Sequence, residues 1–135
     1  MLVLTVFDGT SEELYFQTAR AGLERGFNVL IAEGPGQTGT GRRYPESVFC
    51  PDYERPIAAM IDAALKRPEV DPQRLALYGI SFGGYFTTRA AEHDDRIKAL
   101  IVNSPIVDLR EYMLGFVDDD LEDAEALMVV DTDEV

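Results

Sequence analysis

The chain has 135 residues, 46% of them hydrophobic, which is enough for one domain with a packed core. Its formal net charge of −13 argues against nucleic acid as a partner, because phosphate backbones are held by clustered lysine and arginine. No run approaches the ~18 apolar residues of a membrane span, and no basic flank with an apolar core opens the chain, so a cytoplasmic protein with no membrane partner is expected.

The acid is unevenly spread. Nine of the 25 acidic residues follow Phe116, leaving 16 acidic against 12 basic residues before that point. Residues 117–135 therefore read as an acidic tail. Of the bases only Lys66 and Lys98 are lysine, a bias that with the acidic excess suits a high-salt or high-GC source. The single cysteine, Cys50, can form neither an intramolecular disulfide nor a multi-thiolate metal site, and is expected as a buried small hydrophobe.

In chain order, Leu2-Val-Leu-Thr-Val6 has the composition of a strand. Thr10 and Glu13 stand three apart as in a capping box, so a helix is expected to start there. Tyr15, Phe16, Ala19, Gly22 and Leu23 share one face at helical spacing, and Gly26 supplies a stop. A second strand runs from Asn28 to Ala32. Asp52 can cap a further helix whose apolar stripe is Ile57, Met60, Ile61, Ala64 and Leu65, and Pro68 ends it. Leu75 to Tyr78 is a third strand, Phe82 to about His93 a helix, and Ala99 to Val102 a fourth strand. Strands alternating with helices in units of this length imply parallel strands joined by right-handed crossovers, with helices on both faces of the sheet.

Gly34-Pro-Gly36-Gln-Thr-Gly39 has the spacing G-x-G-x-x-G and leaves a strand, as a dinucleotide site does. Such a site also needs a helix to start inside the motif, and Arg42-Arg-Tyr-Pro45 and Phe49-Cys-Pro51 predict an irregular chain there instead. No acid closes a following strand about twenty residues on, and Thr40 stands where a P-loop requires lysine. The loop is expected to be a turn. Neither cofactor nor metal is expected.

Gly79-Ile80-Ser81-Phe82-Gly83 is G-x-S-x-G between a predicted strand and a predicted helix, the setting of a nucleophile elbow. Glycines two before and two after the serine let strand and helix approach closely around a tight turn. Ser81 is the candidate nucleophile, and the Phe82 amide can donate to an oxyanion.

With these motifs the chain resembles the α/β-hydrolase superfamily, closest to the branch of 2,6-dihydroxypseudooxynicotine hydrolase and the dipeptidyl aminopeptidases. Phe7-Asp-Gly-Thr10 is similar to that branch's loop after its third strand, usually Gly-Gly-Phe-Asp-Gly-Thr, with Thr5 and Val6 here in place of the two glycines. Glu33-Gly-Pro-Gly-Gln37 resembles the branch's Asp-Gly-Pro-Gly-Gln turn, and Leu77-Tyr-Gly-Ile-Ser-Phe-Gly-Gly-Tyr85 its elbow. The resemblance implies four parallel strands in the order 2-1-3-4, and a second oxyanion donor at the Phe7 amide. It implies a serine hydrolase of an ester, amide or activated C–C bond, with a small-molecule or peptide substrate.

Such a hydrolase also needs an acid and a histidine on loops after later strands. The only histidine, His93, lies twelve residues after Ser81, about 18 Å along a helix at 1.5 Å per residue, and is expected to be a helix-end residue. Asp108, past the fourth strand, is expected to cap a loop rather than serve as the acid. Residues 1–116 accordingly read as the central part of a hydrolase domain, with 117–135 an acidic tail or the start of a cap insertion, and self-association through exposed sheet edges is expected. The competing reading is a non-catalytic binding module or gene fragment of the same fold; a nucleotide or flavin binder is disfavoured by the glycine loop.

Overall fold

Leu2-Val-Leu4 is apolar at consecutive positions, the pattern of a strand covered on both faces, and it forms β1 (Leu2–Leu4) with all three side chains buried. In the computed structural model, which describes residues 1–115, β1 is an inner strand of a four-stranded parallel sheet of order β2-β1-β3-β4. β2 (Leu30–Ala32) pairs on one side with Leu30 opposite Leu2, and β3 (Ala76–Ile80) on the other with Leu77 opposite Leu2. β4 (Ala99–Asn103) adds to β3, Ala99 opposite Ala76. The expected α/β fold and strand order are thus the ones observed. Strand succession reverses direction after β2, so right-handed crossovers put the helix between β1 and β2 on one face and the later ones on the other.

Thr10 caps the first helix through both arms of the box. Its hydroxyl accepts from Glu13 N at 3.4 Å, and its amide donates to Glu13 Oε2 at 2.9 Å. α1 (Ser11–Leu14) continues through a π-helical turn, Tyr15–Ala19, into α2 (Arg20–Glu24). That wide turn changes the phase of the helix, and the apolar face inferred from regular spacing is corrected by it. Leu14 and Ala19, five residues apart, are buried with Gly22, whereas Tyr15, Phe16 and Leu23 are exposed.

A second correction concerns the glycine-rich segment, where a short helix, α3 (Thr38–Arg43), does begin. α4 (Glu54–Leu65) buries Ile57, Ile61 and Ala64 as its stripe predicts, while Met60 and Leu65 are half-buried. Asp52 does not cap it. Tyr53 holds the cap position, and the Asp52 carboxylate instead accepts from Arg55 Nη1 at 2.7 Å. α5 (Phe82–His93) packs against α4, where Arg89 Nη2 donates to Glu54 Oε1 at 3.2 Å and Arg89 Nε to Glu54 Oε2. Their pairing holds the Glu54 carboxyl below its ordinary range.

Residues 1–105 form one compact unit, and a second begins at Ile106. Its described helix is α6 (Leu109–Leu114), capped by Asp108, whose carboxylate accepts from Glu111 N at 2.9 Å. The acidic segment 117–135 lies outside the described residues.

Candidate active site

β3 ends at Ile80 and α5 begins at Phe82, so Ser81 alone makes the turn between them. Its backbone takes φ 53° and ψ −116°, a conformation that costs a non-glycine residue about 1–3 kcal/mol and persists only where the surroundings enforce it. The surroundings here are three glycines. A Cβ on Gly79 would come within 2.2 Å of the Gly83 carbonyl oxygen, and one on Gly83 within 2.5 Å of the Thr5 carbonyl oxygen. One on Gly84 would meet Pro105 Cα at 3.3 Å. Backbone bonds complete the enforcement: Ser81 N donates to the Asn103 carbonyl at 2.9 Å, and Gly84 N to the Ser81 carbonyl at 2.9 Å.

Ser81 thereby stands at the C-terminal edge of the parallel sheet and at the N-terminus of α5. The Phe82 amide belongs to the first helical residue, whose N–H has no acceptor within the helix. The structure brings Phe7 to the same place. Its ring meets that of Phe82 edge-on with centroids 5.2 Å apart, and stacks on Phe49 at 5.3 Å. Phe49 in turn contacts Phe82 and Phe86, each at 5.8 Å, so an aromatic cluster joins the segment after β1 to the elbow. Phe49 carries no sequence signal for this role. It lies in the irregular stretch before α4, and only the fold turns it inward.

The glycine-rich segment does not offer a phosphate cradle, for a different reason from the one its sequence suggests. The amides at the start of α3 and at the start of α1 face a carboxylate of the chain itself. Glu33 Oε1 accepts from Ser11 N and Ser11 Oγ, both at 2.7 Å, and Glu33 Oε2 accepts from Gly39 N. The position an anion would take is filled by Glu33.

Gln37, at the N-cap of α3, is fully buried and turns its amide away from the helix. Its Oε1 accepts from Gly34 N at 2.7 Å, and its Nε2 donates to the carbonyls of Thr5 at 3.0 Å and Val6 at 3.3 Å. Tyr53 Oη donates to the Pro35 carbonyl at 3.0 Å and approaches Gln37 Oε1 at 3.4 Å, while its ring stacks on Phe86 with centroids 3.6 Å apart. Burial pushes the Tyr53 phenol well above its ordinary range.

His93 is not brought to this site. It is exposed in the last turn of α5, and its Nδ1 lies 2.9 Å from the Arg89 carbonyl oxygen, an arrangement in which the Nδ1–H donates. Cys50 is half-buried rather than fully buried, and burial with the nearby Asp52 carboxylate pushes its thiol up to about 11. No group of three or more metal-ligating side chains occurs among the described residues.

The sequence matches the prolyl oligopeptidase family over residues 13–126. A hydrolase from Pyricularia oryzae is 37% identical over 82% of this chain and 27% of its own length. A 20-hydroxy-prefusarin hydrolase from Gibberella moniliformis is 41% identical over 78% of this chain and 26% of its own. The solved structure of DcsB in complex with its substrate analogue superposes with a TM-score of 0.63 at 25% identity, covering 85% of this chain and 41% of that one. The chain therefore spans about a quarter of the length of the curated relatives it matches.

Proposed function

Because the chain belongs to the prolyl oligopeptidase family and has the α/β-hydrolase fold, we propose that it carries the nucleophile and oxyanion-hole portion of a serine hydrolase. Ser81 Oγ attacks the carbonyl of an ester, amide or activated C–C bond, and the amides of Phe82 and Phe7 donate to the oxygen on which negative charge develops. The observation that carries this reading is the strained backbone of Ser81 at the strand-to-helix junction, held where Gly79 and Gly83 leave no room for a side chain. One relative is named for 20-hydroxy-prefusarin, which puts small organic substrates ahead of peptides.

Taking the proton from Ser81 falls to a group other than His93. That side chain is exposed at the opposite end of α5, about 18 Å along the helix at 1.5 Å per residue. The same observation favours the second reading, a binding module in which the elbow is kept without turnover. Hydrolysis of p-nitrophenyl acetate with added imidazole separates the two. The 135-residue chain alone should turn over barely above background. Imidazole, supplied as an external base, should raise the rate beyond its own effect on a Ser81→Ala control. Equal rates for the chain and the Ser81→Ala control at every imidazole concentration would leave the binding module as the better reading.

A further inference from the structure

We infer that Gln37 is a positioning residue that sets the Phe7 amide opposite Ser81. The inference rests on the reading of Ser81 and Phe7 given above and assigns the device that holds their relative placement. Phe7 follows directly on the two carbonyls that Gln37 holds, those of Thr5 and Val6. Thr5 and Val6 both carry β-branched side chains, and their successive carbonyls both accept from Gln37 Nε2. A buried primary amide makes both bonds. The two Nε2 hydrogens reach two successive carbonyls, while Oε1 takes the Gly34 amide at 2.7 Å.

The other end of the connection reaches the nucleophile's own helix. Tyr53 holds the Gly34–Gln37 turn through the Pro35 carbonyl, and its ring lies on Phe86, one helical turn beyond Phe82. Gly83, in the first turn of α5, approaches the Thr5 carbonyl so closely that a Cβ would stand 2.5 Å from it. The Thr5 carbonyl is thus fixed from two sides, by Gln37 Nε2 and by the elbow's own glycine. Phe7 itself is about half exposed, at 52%. Gln37 is fully buried and has no solvent to satisfy its amide, so its bonds are made within this network.

The test reads carbonyl polarisation rather than turnover, so it does not depend on a histidine. In a Ser81→Cys, Cys50→Ser chain, N-trans-cinnamoylimidazole acylates the Ser81→Cys thiolate and releases imidazole. The absorbance of the resulting thioester moves to the red when donors polarise its carbonyl. The expected result is a red shift in the folded adduct relative to the same adduct in guanidinium, lost or at least halved in Gln37→Met. A second variant guards against loss of folding. Gln37→Glu keeps the acceptor for Gly34, and when protonated it can still donate to a carbonyl. Its red shift should be present at pH 5 and reduced at pH 9, with the Gln37 chain unchanged between them; the neighbouring Tyr53 phenol stays neutral across that range. A full red shift in Gln37→Met, or in Gln37→Glu at both pH values, overturns the positioning role while leaving the oxyanion site standing. Absence of any red shift in the Gln37 chain itself overturns the oxyanion reading and the inference with it.

Discussion

At the residue scale, the glycine contacts around Ser81 give a direct stability prediction. Gly83→Ala drives a methyl into the Leu4 and Thr5 carbonyls, at 2.6 and 2.5 Å, and should destabilise the fold by about 2–3 kcal/mol as overpacking does. Urea denaturation measures it, and a loss under about 0.5 kcal/mol, the range of a neutral surface change, would mean that β1 and α5 are less tightly apposed. Ser81 and these glycines are legible in the sequence because their constraint is local: G-x-S-x-G needs only a strand before it and a helix after it, and both are written in adjacent residues. Gln37 and Phe49 are not legible, since they meet groups far along the chain: Gln37 bonds to residues 31 and 32 positions earlier. Cys50 gives a prediction on reactivity. With its thiol pushed up to about 11, alkylation by iodoacetamide should rise with pH through a midpoint near 11. A midpoint at the ordinary thiol value of about 8.5 would contradict the burial and Asp52 contact described for it.

At the scale of elements, the strands and the long helices α4 and α5 were legible from periodicity, and the fine structure of the others was not. A regular 3.6-residue period cannot anticipate the π-helical turn at Tyr15–Ala19, which exposes Tyr15 and Phe16 in place of burying them. The start of α3 is not legible because Thr38-Gly-Thr-Gly41 is poor in helix formers. What supports its start is the Glu33 carboxylate on the Gly39 amide, a contact that the sequence alone does not announce. The pairing of α4 with α5 predicts an acid sensitivity. The Arg89 guanidinium holds Glu54 below its ordinary value, as Arg96 does Asp94. A carboxyl with a depressed folded value contributes stability that is full above its unfolded value, about 4.3 for Glu and 3.9 for Asp, and is lost as pH falls through the folded value. Melting temperature should therefore fall from about pH 4.5 downward, and Glu54→Gln should flatten part of that slope. An unchanged slope in Glu54→Gln would show that the pair contributes nothing to the acid transition.

At the scale of the whole molecule, net charge and sheet edges govern behaviour in solution. The formal charge of −13 is self-repelling, and the Debye length falls from ~10 Å at 0.1 M salt to ~3 Å at 1 M. Melting temperature should rise with KCl across that interval; a flat or falling trend would remove the high-salt reading of the composition. β4, the strand at one edge of the described sheet, exposes every residue, with Leu100 at 37%, Ile101 at 48% and Val102 at 36%. An apolar edge of this kind pairs readily with another chain. Sedimentation velocity should accordingly show association that grows with protein concentration and is weakened by Ile101→Lys. A clean monomer at all concentrations would contradict it.

The proposal that Ser81 is a placed nucleophile is tested most directly by covalent capture. The folded chain is incubated with a fluorophosphonate, and the labelled peptides are identified by mass spectrometry. Labelling should be slow, because His93 lies at the far end of α5, yet confined to Ser81 over Ser11, Ser47 and Ser104, and it should disappear in urea. Equal modification of the four serines, or the same rate at Ser81 in the folded and the unfolded chain, would contradict it.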